Sequence, residues 1–149
     1  MIKVVEPSVS REWATLRNQL WPETIGVHLD VVDRFFNHSY PHIHIGFLAV
    51  CDNAAVGFLE LSLRSYAEGT ETSPVPYIEG WYVADSARGQ GYGRALMAHA
   101  EHWALMSGYS VLASDAELAN VQGISAHQAV GFIEVSRQVS MLKSLTLSE

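Results

Sequence analysis

Cysteine is almost absent from the sequence. Cys51 stands alone, so no disulfide can form within the chain. It closes the apolar run 47–51 and reads as a buried small hydrophobe rather than a reactive thiol. Basic residues are scarce as well, with 9 Lys plus Arg against 16 Asp plus Glu and a net charge of −7. Phosphate backbones demand a basic face, which argues against nucleic acid as a partner. A cationic ligand is compatible with this balance. No apolar run is long enough to span a bilayer, and the stretch Met1 to Pro7 is too short and too soon interrupted for a signal peptide. These shortages predict a cytoplasmic protein without a membrane partner. Repeats, linkers and disordered tracts are missing too, and 149 residues at 48% hydrophobic suffice for one domain, 1–149, with a real core.

Periodicity predicts the order β-α-α-β-β-β-α-β-α-β. A strand over Ile2 to Glu6 ends at Pro7, and Ser8 or Ser10 caps a helix through Leu20. Pro22 to Gly26 breaks that helix, and a second runs from about His28 to Asn37. Trp21 and His28 flank the bend between them, where they either line a cleft or close the core. Strands over Ile45 to Cys51 and Ala55 to Arg64 form a hairpin around Asp52-Asn53. A polar loop then leads to a central strand, Val75 to Val83. Gly108 stops the next helix before a strand over Ser110 to Ser114. Asn120 opens a final helix, and Ile133 to Leu142 reads as the last strand. The fold class is mixed α/β.

Histidines 38, 42 and 44 invite a metal reading, but no carboxylate or cysteine accompanies them at a ligand spacing. His99 and His102 do not form the zinc pattern His-Glu-x-x-His and read as solvent-facing. No metal is expected.

The chain is organised around 77–104, a strand, a glycine-rich loop and an amphipathic helix. Arg88-Gly89-Gln90-Gly91-Tyr92-Gly93-Arg94 empties into a helix with apolar residues at 96, 97, 100, 103 and 104. Successive amides and the positive end of the helix dipole make an anion site suited to phosphates. The third glycine arrives one residue early for a dinucleotide fingerprint, and no Gly-Lys-Ser/Thr follows. An ordinary β-to-α turn is the simpler alternative.

Arg88-x-x-Gly91-x-Gly93 resembles the pyrophosphate loop of the Gcn5-related N-acetyltransferase superfamily, and the element order resembles it over the whole chain. A narrower resemblance, to the aminoglycoside 6′-N-acetyltransferases, is carried by Leu20-Trp21-Pro22, Thr72-Ser73-Pro74-Val75, Glu79-Gly80, Ala113-Ser114-Asp115 and His127 to Phe132. It implies a sheet splayed between strands 4 and 5, a homodimer, and acetyl-coenzyme A as co-substrate. It also implies transfer of acetyl to the 6′-amine of an aminoglycoside by direct attack in a ternary complex, with antibiotic resistance as the result.

On this resemblance the main chain of Trp81, Tyr82 and Val83 pairs with the pantetheine arm. Gly89, Gln90, Gly91, Tyr92, Gly93 and Arg94 take the pyrophosphate, and Arg88 adds charge. Asn120 offers its amide to the pantetheine or caps a helix. His127, where many relatives have tyrosine, protonates the departing thiolate or packs beside the coenzyme. Trp21, His28, Tyr66, Glu71, Glu79 and Asp115 are the implied acceptor-binding residues. Glu79 and Asp115, one on each lip of the gap, are the implied catalytic pair. An alkylamine has a pKa near 10 and attacks only when neutral, so a base or a water relay must remove its proton, and a carboxylate site is well placed to start it. Charge developing on the thioester oxygen falls to an amide such as that of Val83. Ser136, beside Glu134 and Arg137, stands where some relatives are acidic. Two alternatives stay open: an acetyltransferase for a polyamine or other small amine, and a catalytically silent acetyl-coenzyme A binding module.

Overall fold

Three apolar segments of the sequence become the long strands of one sheet. The computed structural model describes residues 1–147, which fall into a first compact unit, Met1–Asp115, and a second beginning at Ala116. In the first unit the strands are β1 (Ile2–Val4), β2 (Ile45–Cys51), β3 (Ala54–Arg64), β4 (Val75–Val83) and β5 (Ala113–Ser114). They lie side by side in chain order; only the β4–β5 pair is parallel. The β2–β3 turn works because Asp52 and Asn53 both adopt positive φ, 49° and 63°, the requirement of a two-residue hairpin that follows the strand twist.

Side chains alternate across a strand, and this separates the helices onto two faces. On one face, α1 (Ser10–Leu20) and α2 (His28–Phe36) pack together, with the Trp13 ring edge-on to Phe35 and Phe36. Glu60 and Phe58 point towards this pair. On the other, α3 (Tyr92–Met106) buries Leu96, Met97, Ala100 and Ala104, and Leu96 approaches Gly57. Gly108, at φ 90°, follows α3 as expected.

The second unit contains α4 (Val121–Ala129). Asn120 caps it, its side-chain oxygen accepting the Gly123 N–H at 2.9 Å.

Three expectations need correcting. Residues 133–142 form no strand: Ile133, Val135, Val139, Met141 and Leu142 are each at least 62% exposed. Alternation makes a strand only where a ladder partner exists, and among the described residues this segment has none. The strand expected over 110–114 shrinks to Ala113–Ser114, because β4 offers it only two pairing positions. Cys51 is half-buried rather than buried, since it ends β2 beside the turn, its thiol 3.9 Å from Asp52.

Candidate active site

The ladder of β4 is irregular on both edges. Towards β3 the register slips: Leu61 faces Ile78, whereas Glu60 faces Gly80. Glu79 is thus the extra residue of a β-bulge, which re-aims side chains. Towards β5 only Tyr77 and Ile78 are paired, and among the described residues β4 has no strand neighbour there from Glu79 to Val83. The sheet opens at that point, as expected between strands 4 and 5. The Ala84 N–H donates to the Val56 carbonyl at 2.8 Å, so Val83 and Gly57 form a non-hydrogen-bonded pair. Main-chain groups of Val83, and by alternation of Trp81, therefore turn away from β3 into the opening.

A cavity of about 390 Å³ lies where the break between α1 and α2 meets the bulge. Trp21 and Tyr40 give it aromatic walls, and Glu23, Glu60 and Glu79 set three carboxylates against Arg17. The bend between the helices both lines this cleft and closes the core: Trp21 is part-buried and His28 is 3% exposed. The indole of Trp21 rests on the backbone at Gly80, stacks on His28 at 5.9 Å and lies under the Arg17 guanidinium at 4.8 Å. Glu60 is fully buried and accepts hydrogen bonds from the Trp13 indole, at 2.9 Å, and from Arg17. Burial raises the Glu60 carboxyl above its usual range, against the opposing pull of Arg17 and Trp13.

Glu79 is clamped by Arg64, whose Nε and Nη2 donate to Oε1 and Oε2 at 2.9 Å each. The same guanidinium lies 3.6 Å over the Tyr77 ring, and the Tyr77 hydroxyl donates to Asp115 at 2.6 Å. Burial first, then the bond to Asp115, pushes that hydroxyl well above the ordinary phenol value. The two expected carboxylates are thus linked through Arg64 and Tyr77. Trp21, His28 and Glu79 line the cavity; Asp115, Tyr66 and Glu71 lie outside its lining. Tyr66 is exposed and donates to Glu68 at 2.9 Å, a bond that raises its hydroxyl. Glu71 is exposed on the same loop.

The glycine loop follows β4. Gly89 and Gly91 adopt left-handed backbone, φ 77° and 87°, and Gly91 is the N-cap of α3. The first helical bond runs from Ala95 N–H to the Gly91 carbonyl at 3.0 Å, so the amides of Tyr92, Gly93 and Arg94 precede the helical ladder. Trp81 ties the loop to the sheet, its indole N–H donating to the Gly93 carbonyl at 3.0 Å. Arg88 braces the loop rather than projecting from it: Nε donates to the Val83 carbonyl at 3.0 Å and Nη1 pairs with Asp85 at 2.8 Å. Gln90 and Arg94 are exposed on the loop. The Tyr92 hydroxyl is raised, chiefly by a hydrogen bond with Cys51. Tyr82 turns the other way: its hydroxyl donates to Gln19 at 3.1 Å, and its main chain belongs to the ladder with Phe58.

In the second unit, the Asn120 side-chain oxygen is committed to the helix cap. His127 donates from Nδ1 to the Gly123 carbonyl at 2.6 Å and sets its ring edge-on to Phe132 at 5.2 Å.

Sequence reasoning missed Arg17, Glu60, Arg64 and Tyr77. Glu60 had a signal, since a carboxylate between Leu59 and Leu61 in an apolar strand must find buried partners. Arg64 and Tyr77 depend on strand register, which the loop between β3 and β4 conceals.

A profile described as "Acetyltransferase (GNAT) family" matches residues 12–132. The aminoglycoside N(6′)-acetyltransferase type 1 of Klebsiella aerogenes is 41% identical over 139 residues, covering 92% of this chain and 91% of that protein. Its counterpart in Stenotrophomonas maltophilia is 39% identical over 140 residues, 93% and 89% of the two chains. Among solved structures, AAC(6′)-Iy in complex with the bisubstrate analogue CoA-S-monomethyl-acetylneamine superposes with a TM-score of 0.88 at 31% identity, covering 97% of this chain and 98% of that one. The apo form of the 6′-N-acetyltransferase AAC(6′)-IG from Acinetobacter haemolyticus gives 0.87 at 34%, covering 98% and 99%.

Proposed function

The chain belongs to the acetyltransferase (GNAT) family, and from that premise we propose that it is an aminoglycoside 6′-N-acetyltransferase conferring resistance to those antibiotics. One observation carries the choice of acceptor. The cavity at the bulge of β4 sets Glu23 and Glu79 beside the flat wall of Trp21, with Arg64 answering Glu79 and Arg17 answering the buried Glu60, which leaves the lining net negative. A polycationic sugar suits that lining in charge and in shape.

Acetyl-coenzyme A, when bound, supplies the acetyl group as an activated thioester. The residues present fit it, because left-handed Gly89 and Gly91 place a run of amides at the start of α3 and, among the described residues, β4 has no strand neighbour on its β5 side beyond Ile78. Amides from Gly89 to Arg94 would hold the pyrophosphate, and Trp81 and Val83 the pantetheine arm. Glu79, oriented by Arg64, holds the acceptor's ammonium and starts removal of its proton. The Val83 amide, turned into the opening, stabilises charge on the reacting oxygen. Asp115 acts from outside the cavity lining, through Tyr77.

The family match runs across the boundary at 115/116, which supports a single acetyltransferase domain. The protein acts as a homodimer on this reading, supported by the apolar tail: Ile133, Val135, Val139, Met141, Leu142, Leu145 and Leu147 are all exposed.

The test is thiol release across a panel of aminoglycosides and linear polyamines. Aminoglycosides should give the higher kcat/KM. Much faster turnover of polyamines overturns the acceptor assignment, and no thiol release with either class leaves only the binding-module alternative.

A further inference from the structure

Behind the Trp21 indole runs a buried polar chain. Glu60, Arg17 and His28 are 1%, 6% and 3% exposed. Arg17 bonds Glu60 with one nitrogen and donates from Nε to His28 Nδ1 at 3.2 Å. The His28 proton therefore sits on Nε2, which lies 2.9 Å from Thr24 Oγ1 and 3.1 Å from the Trp21 carbonyl. That carbonyl also accepts from the Thr24 hydroxyl at 3.1 Å and the Thr24 N–H at 3.2 Å. His28 thus holds Trp21 twice, by its carbonyl and by ring stacking at 5.9 Å and 24°. Ion pairs this deeply buried contribute little net stability compared with apolar packing, so geometry is the more telling consequence.

We propose that Glu60, Arg17 and His28 are positioning residues for the acceptor amine, acting through Trp21 to hold its indole as a fixed wall beside Glu79. The inference rests on reading the cavity as the acceptor site. A loosened wall weakens acceptor binding while leaving the glycine loop intact, because that loop joins α3 on the other face of the sheet.

The test combines His28→Asn with Trp21→Ala in a double-mutant cycle on the full-length enzyme, using whichever amine in the panel wild type turns over best. Asparagine keeps an acceptor towards Arg17 but loses the bond to the Trp21 carbonyl. His28→Asn should raise the acceptor KM about tenfold, the effect of losing one buried hydrogen bond, with acetyl-coenzyme A KM unchanged. In the Trp21→Ala background it should add nothing further. Thr24→Val, nearly isosteric and at an exposed position, should give a smaller shift of the same kind and serves if His28→Asn does not fold. Additive losses, or an equal rise in both KM values, overturn the proposal. If wild type accepts only polyamines, the aminoglycoside reading fails, yet the coupling between positions 28 and 21 is still measured on the polyamine.

Discussion

Replacing Gly80 by alanine puts a single methyl group into the seat of Trp21. A Cβ at this position would lie 2.7 Å from Trp21 Cη2, 3.3 Å from Trp21 Cζ2 and 3.0 Å from Phe58 Cε2. Favourable carbon contacts begin near ~3.5 Å, so the indole must retreat by about 0.8 Å. Gly80 is not among the glycines with positive φ, so the penalty is one of space and not of backbone conformation. Neither ring retreats freely. Phe58 is fully buried, and Trp21 is held between Arg17, His28 and the Phe58 edge at 6.0 Å. Overpacking of this kind costs about 1–3 kcal/mol. For a chain of this size each kcal/mol lowers Tm by about 2–4 °C, so a fall of about 2–12 °C is expected. Acceptor KM should rise while acetyl-coenzyme A KM stays at the wild-type value. Thermal scans and steady-state kinetics on the same preparation measure both. Adding Trp21→Leu should recover part of the lost Tm, a departure from additivity that generic destabilisation does not produce. Wild-type Tm and acceptor KM in Gly80→Ala would show that the indole does not sit on β4, and the account of the cavity wall would fail with it.

Tyr77→Phe tests the linked carboxylates: the folded state holds the Tyr77 proton more tightly than the unfolded chain, so its contribution is complete below about pH 10 and drains away as pH rises. The variant should flatten the alkaline fall of Tm measured above about pH 10. Gly91→Val meets open space but a left-handed backbone at φ 87°, and should lose about 1–2 kcal/mol with a raised KM for acetyl-coenzyme A; an unchanged KM removes Gly91 from the loop's function. Glu79→Gln should lower acceptor kcat/KM by about one to two decades, and Asp115→Asn by less, since Asp115 lies outside the cavity lining and is held by Tyr77; the reverse order exchanges their roles. Truncation after Phe132 removes the exposed apolar tail and should convert a dimer to a monomer in light scattering, whereas a full-length chain that is already monomeric refutes the homodimer.

The helices and long strands were legible because each obeys one local rule. Ile45–Cys51 and Val75–Val83 match their apolar runs, and Asp52-Asn53 matches a two-residue turn. The glycine loop was legible for the same reason, since left-handed Gly89 and Gly91 are a local requirement. What escaped depends on partners far apart in sequence. The clamp of Arg64 on Glu79 spans 15 residues, the Tyr77–Asp115 bond 38 and the Arg17–Glu60 pair 43. The segment 133–142 failed in the opposite sense, with a good local pattern and no ladder to join.

The bulge at Glu79 also shows why strand alternation alone misassigns half of the site. In an unbroken strand Tyr77, Glu79, Trp81 and Val83 would share one face. With one residue inserted, Glu79 and Gly80 together oppose Glu60, and the parity reverses beyond them. Tyr77 and Glu79 then lie on the α1/α2 face with Arg64, and so do Gly80 under Trp21 and Tyr82 against Phe58. Trp81 passes to the α3 face, where its indole fastens the loop at Gly93. The same shift leaves the main chain of Trp81 and Val83 directed at the edge that β5 has vacated. A regular strand could not place the Glu79 carboxylate in the cavity and, two residues later, send an indole across the sheet to the glycine loop. The insertion at 79 is therefore what lets one strand serve both the cavity and the glycine loop: deleting Glu79 would leave Ile78 on Leu61 and Gly80 on Glu60 in an unbroken ladder, keeping the faces of Gly80 to Val83 and losing only the carboxylate.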